Sequence, residues 1–405
     1  MVKALPQQSK AGHAGEHPPF ECTALLLQGG GALGSYQAGV YQALAEANVQ
    51  PDWVAGISIG AINSALIAGN PPETRVEKLR EFWEAITTSP VGIPTLESVD
   101  IADDATRRAI NAARATSILM FGAPDFFKPR IPSPMFWPFG AADAMSHYDV
   151  APLKITLERL VDFDRINTGD MRFSVGAVNV RTGNFTYFDN ATHRITSAHI
   201  IASGSLPPGF PATEIEGEYY WDGGLVSNTP LQWVLDSRPR LDTLAFQVDV
   251  WSSVGEMPSN LIETEVRVKE IRFSSRTRAA TDQYKMAQKL RIAVANLIQR
   301  LPDELRGLED VKMLEAAADD KICNIVHLIY QAKKYEGMAK DFEFSRRTME
   351  DHWKSGYDDC VGALSHPEVF ERPNQLEGVR TFDFRERRNQ RSGPISSKDV
   401  PDEGK

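Results

Sequence analysis

Three short motifs place groups that could carry out acyl transfer. At Gly56-Ile57-Ser58-Ile59-Gly60 a serine has a glycine two positions away on each side. The apolar Trp53-Val54-Ala55 before it reads as a strand, and the small apolar residues after it as a helix. A sharp strand-to-helix turn pushes a serine hydroxyl clear of the sheet, where it can act as a nucleophile. Gly56 and Gly60 then prevent clashes between strand and helix. The amide of Ile59 would face a developing oxyanion at the positive end of that helix.

The second motif, Gly29-Gly30-Gly31-Ala32-Leu33-Gly34, follows the first apolar strand. Gly29, Gly31 and Gly34 satisfy G-x-G-x-x-G, so a nucleotide-dependent oxidoreductase is one reading. That chemistry wants an acidic residue ending the second strand. Here the strand ends in Ile57 and Ser58, and Asp52 lies before it. The other reading is a cradle of N–H groups at a helix start, suited to an oxyanion, and Ser58 one strand later favours it. The third motif is Asp222-Gly223-Gly224. Asp-Gly is commonly a turn, but Tyr219 to Trp221 would bury this carboxylate and raise its pKa. A carboxylate so raised could accept a serine proton.

A serine–histidine–acid triad competes with this. His147, His193, His199, His327, His352 and His366 all follow Ser58, so chain order allows one. None sits in a recognisable loop after a late core strand, and His199, within apolar Ser197 to Ala202, reads as a packed side chain. His13-Ala14-Gly15-Glu16-His17 matches a zinc-protease spacing, but Gly15 and Pro18 deny the rigid helix those ligands need. No metal is expected.

The elements that would hold these groups alternate. Strands are expected at Thr23 to Gln28, Trp53 to Ile57, Arg172 to Val180, Phe185 to Asp189 and Thr243 to Val250. Helices are expected at Ser35 to Ala47, Ile59 to Ala68, Glu73 to Ile86, Val150 to Val161 and Thr196 to Gly204. Such alternation argues for a parallel α/β sheet. Residues 1–20 read as a disordered tail and 385–405 as a loose charged one. Periodicity is lost over 87–146, a lid-like insertion crowded with Phe121, Phe126, Phe127, Met135, Phe136, Trp137 and Phe139. These aromatics could line an acyl channel or pack on the domain surface. Residues 251–384 form a mainly helical C-terminal extension, with helical stretches at Leu261 to Gln299 and Phe342 to Leu364 around an apolar run, Ile322 to Tyr330. Seven basic residues between Arg272 and Arg300 could meet anionic headgroups or pair with acids such as Asp303 and Glu304.

Together the glycine loop, G-x-S-x-G and D-G-G, in that order over Thr23 to Val250, resemble the patatin-like phospholipase family. Pro207-Pro208-Gly209-Phe210-Pro211 adds to the likeness. The resemblance implies a three-layer α/β hydrolase fold with a mostly parallel central sheet, and a bacterial C-terminal extension of unknown function. It implies a Ser58–Asp222 dyad without histidine, an oxyanion hole at Gly29, Gly30, Gly31, Gly34 and Ile59, and support from Gly56, Gly60, Gly223 and Gly224. Leu33 stands where many members carry a basic residue. The expected activity is hydrolysis of lipid acyl esters with no cofactor; a non-catalytic scaffold is the alternative.

Bulk properties agree. The 405 residues carry 44 Lys+Arg against 54 Asp+Glu, a net charge of -10, which argues against nucleic-acid partners. The three cysteines, Cys22, Cys323 and Cys360, form no paired framework. No secretory leader is visible in Met1 to Phe20, so the expected place is the cytoplasm, with room for peripheral contact at a membrane surface. Thr23 to Ala45 and Trp53 to Pro72 are uncharged but rich in glycine, glutamine and asparagine, which fits buried strands and helices better than membrane spans. Oligomeric state leaves no signal in the sequence.

Overall fold

The computed structural model describes residues 18–88, 103–169, 171–333, 335–337, 339–374 and 377–384. The tail to residue 17 with its His13–His17 pattern, residues 89–102 of the insertion, and the tail from 385 lie outside the described residues.

β1 (Cys22–Leu27) leads through a 3-10 turn at Gly31–Gly34 into α1 (Ser35–Glu46), and β2 (Trp53–Gly56) through Ser58 into α2 (Ile59–Ala68). Then come α3 (Arg75–Ile86), α4 (Asp104–Phe121) and a small ribbon of β3 (Lys128–Pro129) and β4 (Tyr148–Asp149). α5 (Ala151–Leu160) and α6 (Phe163–Thr168) precede β5 (Arg172–Asn179) and β6 (Phe185–Asp189). α7 (Ser197–Gly204), β7 (Thr213–Ile215), β8 (Glu218–Asp222), α8 (Leu231–Asp236) and β9 (Thr243–Asp249) follow. Last are α9 (Leu261–Gln299), α10 (Asp303–Arg306), α11 (Glu309–Ala317), β10 (Cys323–Ile329), α12 (Arg346–Leu364) and β11 (Val379–Phe382).

One 9-stranded sheet runs β11-β10-β9-β1-β2-β5-β8-β7, with β6 also on β5. From β11 to β5 every pair is parallel; β6, β7 and β8 pair antiparallel. Both faces are covered. Leu25, Leu27 and Val54 pack towards the side of α1, α2 and α12, while Ala24, Leu26 and Ala55 pack with Leu231, Val234 and Leu235 of α8 and Tyr284 of α9. Burial on both faces is why these strands read as continuous apolar runs. The expected three-layer α/β architecture is therefore present, with a helical C-terminal part. The uncharged stretches near residues 23 and 53 are strand-plus-helix units, and among the described residues no helix is long and apolar enough to cross a membrane.

Three features add to the sequence reading. The apolar run at Ile322 is strand β10, and with β11 it extends the same sheet past β9. α12 lies on α1 so closely that a Cβ on Gly39 would stand 1.9 Å from the Trp353 carbonyl oxygen. Within the supposedly aperiodic insertion, α4 is an 18-residue helix capped by Asp103, whose side chain accepts from the Thr106 amide at 2.7 Å. Its buried positions are Asn111, Ala115 and Ile118, a seam with one large apolar residue, which is why no apolar period shows.

Candidate active site

β5 has two edges, and their register brings Ser58 and Asp222 together. β2 pairs with Arg172 to Val175 on one edge, and β6 takes the other along Ser174 to Val178. β8 pairs Asp222 with Ala177 while β6 still holds that residue's far side. β8 thus lies on the edge β2 occupies, just beyond the point where β2 turns away at Gly56. Asp222 arrives at the end of the strand from which Ser58 departs.

Ser58 has φ +56°, a left-handed value unusual for serine. Its amide donates to Ser203 Oγ at 3.0 Å, and Ser203 Oγ donates to the Gly176 carbonyl at 2.7 Å. Close backbone approach explains the flanking glycines. A Cβ on Gly56 would stand 2.2 Å from the Gly60 carbonyl oxygen, and one on Gly60 equally near that of Leu27.

Asp222 is 3% exposed. Burial pushes its carboxyl up to about 6, while hydrogen bonds from the Ser58 side chain and the Gly224 amide (2.7 Å) pull the other way. Desolvation wins because two hydrogen bonds replace only part of the lost hydration. The carboxylate thus stands beside the Ser58 side chain. His199 is buried in the first turn of α7, completing a capping box with the N-cap Thr196, its Nδ1 accepting from the Thr196 amide at 3.1 Å.

The glycine loop is held from outside. The Gly29 carbonyl accepts from Asn228 Nδ2 and Trp251 Nε1, each at 2.9 Å. In a trans peptide this aims the Gly30 amide the opposite way. The Gly30 carbonyl accepts from the Leu33 amide at 3.2 Å, which turns out the Gly31 amide likewise. The amides of Gly30, Gly31 and Ile59 have no acceptor among the described residues. By contrast the Gly29 amide is directed at the Asn228 carbonyl, at 3.4 Å, and Gly34 is packed against Ile59 and Trp83. A serine hydroxyl, a buried carboxylate beside it and amides at two helix starts are the kinds of group that acyl transfer uses.

A patatin-like phospholipase family model matches residues 25–235. The chain belongs to that family. A second model, described as patatin phospholipase, matches residues 271–376. No curated protein matches the chain. Among solved structures, VipD from Legionella pneumophila is similar at 15% identity and a TM-score of 0.37, over 90% of this chain and 72% of that one.

Several residues around this patatin-like site escape sequence reasoning. Ser203, Asn228 and Trp251 are ordinary polar or aromatic residues whose roles depend on tertiary contacts at Ser58 and Gly29. Asn228, four residues after Gly224, was the most accessible by proximity. The aromatics of the insertion fall into two groups. Phe126 and Phe127 are core, packed with Phe210 and Phe344. Phe121, Met135, Phe136 and Phe139 are exposed, Phe136 at 80%. Two basic residues of α9 have partners other than Asp303 and Glu304. Arg291 meets Asp236 at 2.9 Å, Lys285 donates to Thr381, and Asp303 pairs with Arg306.

Proposed function

We propose that this patatin-like protein is a serine lipid acyl hydrolase, of phospholipase A or carboxylesterase type, working through Ser58 and Asp222. The observation that carries the reading is the buried Asp222 carboxylate beside the Ser58 side chain, brought there by the register of β2 and β8 on β5. Ser58 Oγ attacks the acyl carbonyl carbon as its proton passes to Asp222. The carbonyl oxygen becomes an oxyanion held by the amides of Gly30, Gly31 and Ile59. Collapse expels the alcohol, which takes the proton from Asp222. Water, deprotonated by Asp222, then attacks the acyl-serine, and collapse of that intermediate returns the proton to Ser58 and frees the acid.

A pH–rate profile tests the role of Asp222. The base acts only when ionised, so kcat/KM for p-nitrophenyl butyrate is expected to rise with pH through an apparent pKa near 6 and then level off. Activity already at its plateau by pH 4.5 would contradict it.

The exposed aromatics give a second expectation. Phe136 and Phe139 cover little of the protein's own core, so alanine at both should leave the melting temperature unchanged. Each exposed ring could cover acyl surface at about 25 cal/mol per Å², so loss of activity should grow with acyl length and spare butyrate. Equal losses on butyrate and palmitate esters would rule this out.

A further inference from the structure

The contact between the glycine loop and the C-terminal part has no counterpart in the three motifs. The connection from β10 to α12 is pinned at four places. Glu336 accepts from Tyr330 Oη at 2.5 Å and meets His352 Nε2 at 2.9 Å, all three side chains being buried. Lys340 is buried and bonds Glu270 of α9 at 2.6 Å. Phe344 packs on Phe126. Between these, Asp341 touches the glycine loop. Its carbonyl accepts from the Ala32 amide at 2.8 Å, and its carboxylate holds Lys269 of α9 at 2.5 Å.

Gly31 faces this contact. At φ +56° its missing Cβ would stand 2.1 Å from the Asp341 carbonyl oxygen, so any side chain there would push the connection away. Nearby, Lys269 and Lys340 lie over the Trp251 ring, at 5.7 and 5.3 Å from its centre, and Trp251 is the residue that holds the Gly29 carbonyl. One assembly from the C-terminal part therefore grips both ends of the loop segment that carries the Gly30 and Gly31 amides.

We infer that Asp341 is a positioning residue for acyl transfer, fastened by Lys269, and that the β10–α12 connection is the outer mount of the oxyanion loop. By engaging the Ala32 amide, the Asp341 carbonyl fixes the turn in the conformation that leaves the Gly30 and Gly31 amides for the substrate oxygen. This inference rests on the proposed role of Ser58 and gives the C-terminal part a role in the same reaction. Its influence should fall on the transition state, because an ester carbonyl gains full negative charge only there.

The test uses the full chain carrying Asp341→Ala, Lys269→Met or Lys269→Arg. Lys354→Met, which breaks a solvent-facing pair with Asp358 on α12, is the control. Small displacements of catalytic donors lower rates by about 10- to 100-fold. Asp341→Ala and Lys269→Met are therefore expected to lower kcat for p-nitrophenyl butyrate about tenfold with KM within twofold. A trifluoromethyl ketone, whose adduct with Ser58 carries an oxyanion, should bind more weakly by the same factor. Lys269→Arg should restore both, and the control should change neither. Should Asp341→Ala prove unstable, Lys269→Met alone decides. Wild-type kcat and inhibitor affinity in a folded variant, or equal losses in the control, would overturn the inference while leaving Ser58 in its role. A wild-type chain that neither hydrolyses the ester nor reacts with a fluorophosphonate would overturn both.

Discussion

Ser58→Ala is expected to abolish ester hydrolysis while leaving the protein folded. The substitution removes one oxygen and keeps the Cβ, so the backbone at φ +56° experiences the same strain as before. The amide contact with Ser203 and the close approach of Gly60 to β1 do not involve the hydroxyl. Without the nucleophile no acyl-enzyme forms, and water held by Asp222 would have to attack the ester unaided. A fall on the order of 10⁴-fold or more in kcat is expected. Turnover of p-nitrophenyl butyrate near the wild-type rate would remove Ser58 from the mechanism.

Asp222→Asn is expected to be nearly as damaging to rate and, above pH 6, favourable to stability. The amide can still accept from the Ser58 hydroxyl and the Gly224 amide, so the geometry survives, but it cannot take the serine proton. Loss of a general base lowers rates by about 10²–10⁴-fold. Stability should move the other way. The folded pKa of about 6 lies above the ordinary 3.8. Stabilisation from the protonated carboxyl is complete below pH 3.8 and is lost as pH rises through 6. At pH 8 the ionised, buried Asp222 therefore burdens the fold by up to roughly 3 kcal/mol relative to a neutral side chain. The Asn variant should melt a few degrees higher than wild type at pH 8, with the gap closing near pH 4. A histidine substitution that matched the loss in rate, with Asp222→Asn still active, would point to a triad.

Much of this was legible in the sequence because the decisive features are local. Gly56 and Gly60 mark where helix and strand backbones approach within a Cβ's reach; the run Tyr219 to Trp221 was a poorer guide, because Tyr219 is exposed, Tyr220 and Trp221 are half-buried and only Asp222 itself is buried on that strand. The parallel core was equally visible, since Leu25, Leu27 and Val54 lie in apolar runs bounded by turns. What stayed hidden depends on distant chain segments. Asn228 and Trp251 turn the Gly29 carbonyl, and Asp341 reaches Ala32 across more than three hundred residues. No spacing rule encodes those meetings. α4 escaped because its buried seam has Asn111 and Ala115 where a recognisable amphipathic helix would carry larger apolar residues. Phe126 and Phe127 looked like their exposed neighbours because an aromatic's burial is decided by partners such as Phe210 and Phe344.

The central claim, that Ser58 is a nucleophile activated without histidine, is tested most directly by reaction with a fluorophosphonate. The wild-type chain should gain one phosphonyl mass, mapped by peptide sequencing to Ser58, with a labelling rate that rises with pH through about 6. Ser58→Ala should not be labelled, and Asp222→Asn should label slowly and without that pH dependence. Absence of labelling in a folded wild-type chain, or label found on another serine, would contradict the account.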